Sequence, residues 1–110
     1  MESQEEVDLV LGPLRTDRAA IAELCRSHGV RRLVVFGSVL TEHFDPADSD
    51  VDFLVEFADD VPSRFDAYFG LKEGLEELLN RPVDLVTTRA LENPYFAASV
   101  DRGSEEVYAA

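Results

Sequence analysis

The sequence predicts an α/β (α+β) domain: a small mixed sheet of about four strands flanked by helices. Three observations lead there. Residues 17–28 and 63–79 repeat apolar side chains at helical spacing. Short apolar or alternating runs, RRLVVF, VDFLVEF and VDLV, lie between and after them. A length of 110 residues suits one domain with one core, so 1–110 is read as a single unit with 1–15 as an extension of undecided form.

Taken in order, the apolar run Val7 to Leu11, ended by Gly12-Pro13, fits either an extra helical turn or an edge strand. Thr16 or Asp17 caps a helix whose positions Ile21, Leu24, Cys25 and His28 share one face until Gly29 stops it. Arg31 to Phe36 is a strand that feeds Gly37-Ser38. The next eleven residues, VLTEHFDPADS, make a helical turn and a loop broken by Pro46. Val51 to Phe57 alternates, with Val51, Phe53, Val55 and Phe57 on one face and Asp50, Asp52, Leu54 and Glu56 on the other. Pro62-Ser63 opens a second helix, Ser63 and Asp66 standing at capping-box spacing. Its apolar side is Phe65, Tyr68, Phe69, Leu71, Leu75, Leu78 and Leu79, and Asn80 with Pro82 ends it. Val83 to Val86 is a third strand, Pro94 to Val100 a short helix, and Glu105 to Tyr108 a last strand.

Asp48, Asp50 and Asp52 recur at every second position at the mouth of the second strand. On extended backbone such carboxylates point the same way, and each raises its neighbour's pKa unless a cation intervenes. Solvated loop acids are the bland reading, but the apolar neighbours Val51 and Phe53 place Asp52 at the edge of a core, where an unpartnered carboxylate is costly. A metal site is the reading that accounts for the pattern. An EF-hand is excluded, because its sixth and twelfth places, glycine and glutamate, are Phe53 and Asp59 here. Gly37-Ser38 after a strand is a turn where backbone approaches phosphate closely. Asp84 on VDLV reaches Asp52 if the two strands are neighbours; otherwise it is an edge acid paired with Arg81 or Arg31. A phosphate-holding turn and three carboxylates suit metal-assisted phosphoryl-type transfer.

The formal charge is −13, with 23 acids against ten bases, nine of them arginine. Such a surface disfavours stable binding to nucleic acid or anionic membrane, while small nucleotides stay accessible through a bridging divalent metal. The acid-rich, lysine-poor balance also fits a high-salt source. One cysteine excludes an internal disulfide and a cysteine-based metal cluster. No apolar run approaches spanning length and the N-terminus is acidic, so a soluble, reducing, cytoplasmic setting is expected.

The stretch FGS…DSDVDFLVEF, followed by a helix and RPVDLV, resembles the minimal nucleotidyltransferase (MNT) domains of the polymerase-beta-like superfamily, from about residue 16 to the end. The resemblance implies the minimal nucleotidyltransferase fold. It assigns Gly37 and Ser38 to the triphosphate of ATP, Asp50 and Asp52 to two Mg²⁺ ions, and Asp84 to the third metal-binding carboxylate and general base. It further implies an antitoxin that transfers AMP to a hydroxyl, tyrosine above all, of an all-helical HEPN ribonuclease toxin, in a homo- or hetero-oligomer. Two departures stand out. The spacer from Ser38 to Asp50 is eleven residues, one longer than the commonest form, and Val39 and Leu40 stand where many relatives carry arginine. Arg89 is the candidate substitute for that arginine.

Two rival functions remain: an acidic protein that masks a toxin without chemistry, and a small-molecule adenylyltransferase, whose extra substrate-binding domain is missing here. Lesser candidates have plain roles. His28 suits a helix C-terminus, His43 is isolated, Cys25 is a core residue, and Glu56 is a remote metal-positioning acid or a solvated one. Tyr68, Phe69, Tyr95 and Phe96 are expected in the core, the last two with a lesser claim on a partner surface.

Overall fold

The computed structural model describes residues 8–11, 14–41, 44, 45, 47 and 49–110. The expectations for Val7, Gly12, Pro13, His43, Pro46 and Asp48 lie outside them. Strands β1 (Asp8–Leu11) and β2 (Leu14–Asp17) form an antiparallel hairpin of their own, which decides the N-terminal segment for strand. Helix α1 (Arg18–Ser27) starts at Asp17, whose carboxylate accepts from the Ala19 and Ala20 N–H groups, and Gly29 leaves it at φ +67°.

The main sheet has the order β5-β4-β3-β6, from β3 (Val30–Phe36), β4 (Val51–Phe57), β5 (Val83–Thr87) and β6 (Ser104–Ala109). β3 is antiparallel to both β4 and β6, whereas β4 and β5 are parallel, joined by helix α2 (Arg64–Leu79). A parallel pair needs such a crossover, because its strands start at the same end. Helix α3 (Pro94–Arg102) precedes β6, and a 3-10 turn over Thr88–Glu92, not foreseen from the sequence, precedes α3.

One face of the sheet carries Leu33, Val35, Val51, Phe53, Val55, Val83 and Leu85 against Ile21 and Cys25 of α1 and Leu71, Leu75 and Leu79 of α2. Burial pushes the Cys25 thiol up to about 12, so it stays a neutral core residue. The other face packs Val34, Phe36 and Leu54 against Val100, with Phe96 meeting Phe36 edge-on at 5.3 Å. β4 is therefore covered on both sides, as a central strand should be.

The apolar side of α2 is narrower than its sequence suggests. Phe65 is 72% exposed, and Phe69 and Leu78 are exposed as well. Sixteen helical residues offer more apolar side chains than the sheet can cover, and Leu71, Leu75 and Leu79 with Ala67 fill the stripe. Tyr95, at the start of α3, is 86% exposed rather than core.

α2 also covers the outer edge of β5. The Tyr68 hydroxyl donates to the Leu85 carbonyl, and Glu76 Oε2 accepts from the Val83 N–H at 3.0 Å. These are the backbone groups that an edge strand turns away from its sheet. Tyr68→Phe should cost about 1 kcal/mol by leaving that carbonyl unpaired; equal urea midpoints for the two proteins would contradict the capping role. Among the described residues no helix is long and apolar enough to cross a membrane.

Candidate active site

The C-terminal end of β3 and the starts of β4 and β5 meet at one end of the sheet. Register pairs Phe36 with Asp52 and Asp52 with Asp84, so the two aspartates stand side by side on the face that α3 shares. Asp50, exposed, leads into β4, and Asp84 is exposed at the second position of β5. The neighbourhood expected for Asp84 if the strands were adjacent is thus the observed one.

Gly37 begins a 3-10 turn, Gly37–Leu40, with φ +85°. A Cβ built there would lie 2.3 Å from Asp52 Oδ2. The glycine is therefore required twice, for a left-handed backbone and for the carboxylate that occupies its side-chain space. Ser38 follows, its carbonyl accepting from both the N–H and the hydroxyl of Thr41 at 2.9 Å. Gly37 and Asp52, fifteen residues and a loop apart in sequence, are in contact in the fold.

Asp52 is half-buried, and burial raises its carboxyl from the usual 3.8 to about 6, with Asp84 and then Asp50 pushing the same way. Among the described residues no hydrogen bond or ion pair compensates any of the three. Above about pH 6 the folded chain thus carries a charge it would rather lose. Folded Asp52 binds its proton before an unfolded aspartate does, so with divalent cations chelated, stability should rise as pH falls from about 6 toward 4. Solvent reaches the group, so the gain is about 1 kcal/mol rather than the full value of the shift. Glu76 is held below its usual 4.5 by the Val83 N–H first and Lys72 second, so its stabilisation is lost only as pH falls below that value, outside the range from about pH 7.5 to 5.5. Thermal melts in chelator at pH 7.5 and 5.5 check the sign; a lower midpoint at 5.5 contradicts it.

Among the described residues no three His, Cys, Asp or Glu side chains converge closely enough to form a closed metal nest. The donor set nevertheless fits magnesium, a hard cation that takes one or two protein carboxylates and completes its octahedron with water and substrate phosphate. Asp52 with Asp84 or Asp50 supplies that much.

Several residues play parts that the sequence did not disclose. Arg81 makes no ion pair with Asp84; its Nη1 donates to the Ser49 carbonyl at 3.4 Å and its guanidinium lies 5.3 Å from the Phe44 ring centroid. It ties the loop down one residue before Asp50. Lys72 pairs with Glu76 at 2.9 Å, and that bond foremost, with a smaller pull from Asp84, holds its pKa high. The sequence signals for these are the i,i+4 spacing of Lys72 and Glu76 and the Arg81-Pro82 step just before β5. Glu56 pairs with Arg31 at 3.4 Å, toward the other end of β4, and so does not reach the carboxylates. Arg89 lies beyond the C-terminal end of β5, whereas Asp84 is near its start. It cannot serve the Gly37 turn. His28 Nδ1 lies 2.9 Å from the Leu24 carbonyl, a helix-end role.

A family model described as "Nucleotidyltransferase domain" matches residues 18–103. A Methanocaldococcus jannaschii chain named as a candidate protein adenylyltransferase is 33% identical over 89 residues, 74% of this chain and 88% of that one. A solved structure of a candidate minimal nucleotidyltransferase superposes with a TM-score of 0.64 at 38% identity, covering 79% of this chain and 85% of the other. A chain from a solved complex of tri-AMPylated Shewanella oneidensis HEPN toxin with MNT antitoxin superposes with a TM-score of 0.57 at 23% identity, covering 84% and 70%. At that identity the likeness is one of fold.

Proposed function

The chain belongs to the nucleotidyltransferase domain family, and on that premise we propose that it transfers AMP from Mg-ATP to a hydroxyl, most simply a tyrosine, of an all-helical HEPN-type toxin. The observation that carries the reading is the contact between Gly37 and the Asp52 carboxylate, with Asp84 in register beside it. The names of the relatives support the acceptor class, being protein adenylyltransferase and an antitoxin bound to an AMPylated toxin.

In this reading Asp50, Asp52 and Asp84 would hold magnesium, which when bound would supply charge neutralisation at the transferring phosphoryl group. The chain's own residues do the rest. Gly37 lets the backbone approach the phosphates, and Ser38 presents its N–H and hydroxyl to them. Asp84, the most exposed acid of the registered pair, takes the acceptor's proton as its oxygen attacks the α-phosphorus. The bond from that phosphorus to the bridging oxygen breaks, and pyrophosphate leaves. Arg81 and Glu76 keep the loop before Asp50 and the start of β5 in place.

The test is the intact mass of the helical partner after incubation with this chain and Mg-ATP. Additions of AMP support the reading. No addition, with the partner still bound and inhibited, would replace it by masking, which the −13 charge favours as an attraction for a basic surface.

A further inference from the structure

We infer that Arg102, in the last turn of α3, binds the outer phosphates of the nucleoside triphosphate in a cavity beside the Gly37 turn; the inference rests on the reading above. The cavity, about 260 Å³, is lined by Gly37, Leu40, Thr41, Ser99, Arg102 and Gly103. Its position follows from the sheet. Phe36 is paired on one side with Asp52 and on the other with Ser104, so the turn that leaves β3 at Gly37 emerges between the carboxylates and the end of α3. The two flanks are two strand spacings apart, roughly 9.6 Å.

That separation gives the turn an acidic flank and a basic one. A triphosphate drawn to Asp50, Asp52 and Asp84 through cations still carries charge on its outer phosphates, which those acids repel. The turn brings no cation of its own, since Val39 is buried and Leu40 packs on the core. Of the other bases, Arg26, Arg31, Arg32 and Lys72 are paired with acids and Arg81 holds Ser49 and Phe44, while Arg18 and Arg64 begin α1 and α2 and Arg89 follows the far end of β5. Arg102 makes no ion pair among the described residues and lines the cavity that opens on Gly37. Its planar fork matches two phosphate oxygens at once. A plain structural role also exists, because a cation in a last turn favours the helix dipole. That role takes no account of how many phosphates a ligand has.

The experiment is calorimetric titration of the wild type, Arg102→Ala and Arg102→Lys with Mg-ATP and with AMP, alongside thermal melts and the partner-mass assay. Arg102→Ala should weaken Mg-ATP by about tenfold to a hundredfold, leave AMP unchanged, and leave the fold intact. Arg102→Lys should fall between, keeping the charge without the fork. Equal Mg-ATP affinity in wild type and Arg102→Ala, or equal weakening of both ligands, overturns the inference. If the wild type transfers AMP in either case, the proposed function stands without it. A wild type that neither binds Mg-ATP nor modifies the partner overturns both.

Discussion

Asp52→Asn is expected to abolish nucleotide transfer while making the metal-free protein more stable. Catalytically, the substitution removes a charged oxygen donor from the centre of the acidic set, between Phe36 and Asp84. Loss of a metal's several kcal/mol of charge stabilisation corresponds to a fall on the order of a thousandfold or more. The effect on the fold has the opposite sign. Asp52 is half-buried beside two other carboxylates and is charged at neutral pH at a cost. Asparagine keeps the shape and removes the charge, so melting in chelator should shift upward by an amount equivalent to about 1 kcal/mol, discounted for the solvent that reaches the site. It should also flatten the rise in stability toward acid pH. A lower melting temperature would mean that the carboxylate makes stabilising contacts, and retained transfer would remove Asp52 from the chemistry.

Gly37→Ala should damage both properties together. A methyl group there meets Asp52 Oδ2 at 2.3 Å and forces an L-residue to hold φ +85°. The backbone part costs about 1–2 kcal/mol. The steric part displaces the carboxylate or the turn, and misplacement of this kind lowers transfer roughly a hundredfold. A double-mutant cycle separates the two. In an Asp52→Ala background the nearest remaining atom is a Cβ at 3.4 Å, an ordinary contact, so Gly37→Ala should then cost only its backbone part. Identical costs in both backgrounds, read from denaturant midpoints, would exclude the Gly37–Asp52 contact as the cause.

Much of this site was legible in advance because its information is local. Strand β4 was read at its observed bounds from alternation alone, and the turn of β3 into Gly37 from one strand and one glycine. Whether Asp84 meets Asp52 depended on strand adjacency, which the short β4-α2-β5 crossover makes the favoured outcome. Other residues were misplaced where tertiary geometry decides. Periodicity says that Phe65, Phe69 and Leu78 share a helix with Leu71 and Leu75, but not how wide a stripe the sheet will cover. Arg89 follows β5 in sequence and so is a candidate substitute arginine, but the strand carries it to the far end. Arg102 could not be seen at all, since its place beside Gly37 depends on β6 pairing with β3.

That pairing has a kinetic consequence. The acidic flank closes within one β4-α2-β5 unit, whose end pair is Val51 with Val83, whereas the Arg102 flank waits for Phe36 to meet Ser104, partners more than twice as far apart along the chain. Loops of that length close later and at greater entropic cost. As the chain leaves the ribosome, the crossover unit and its carboxylates can assemble while α3 and β6 are still being made. The two flanks of the Gly37 turn are thus expected to be completed in sequence, the β6 side after the crossover unit. A chain that has not yet docked β6 would hold its aspartates in place and still lack the guanidinium opposite them.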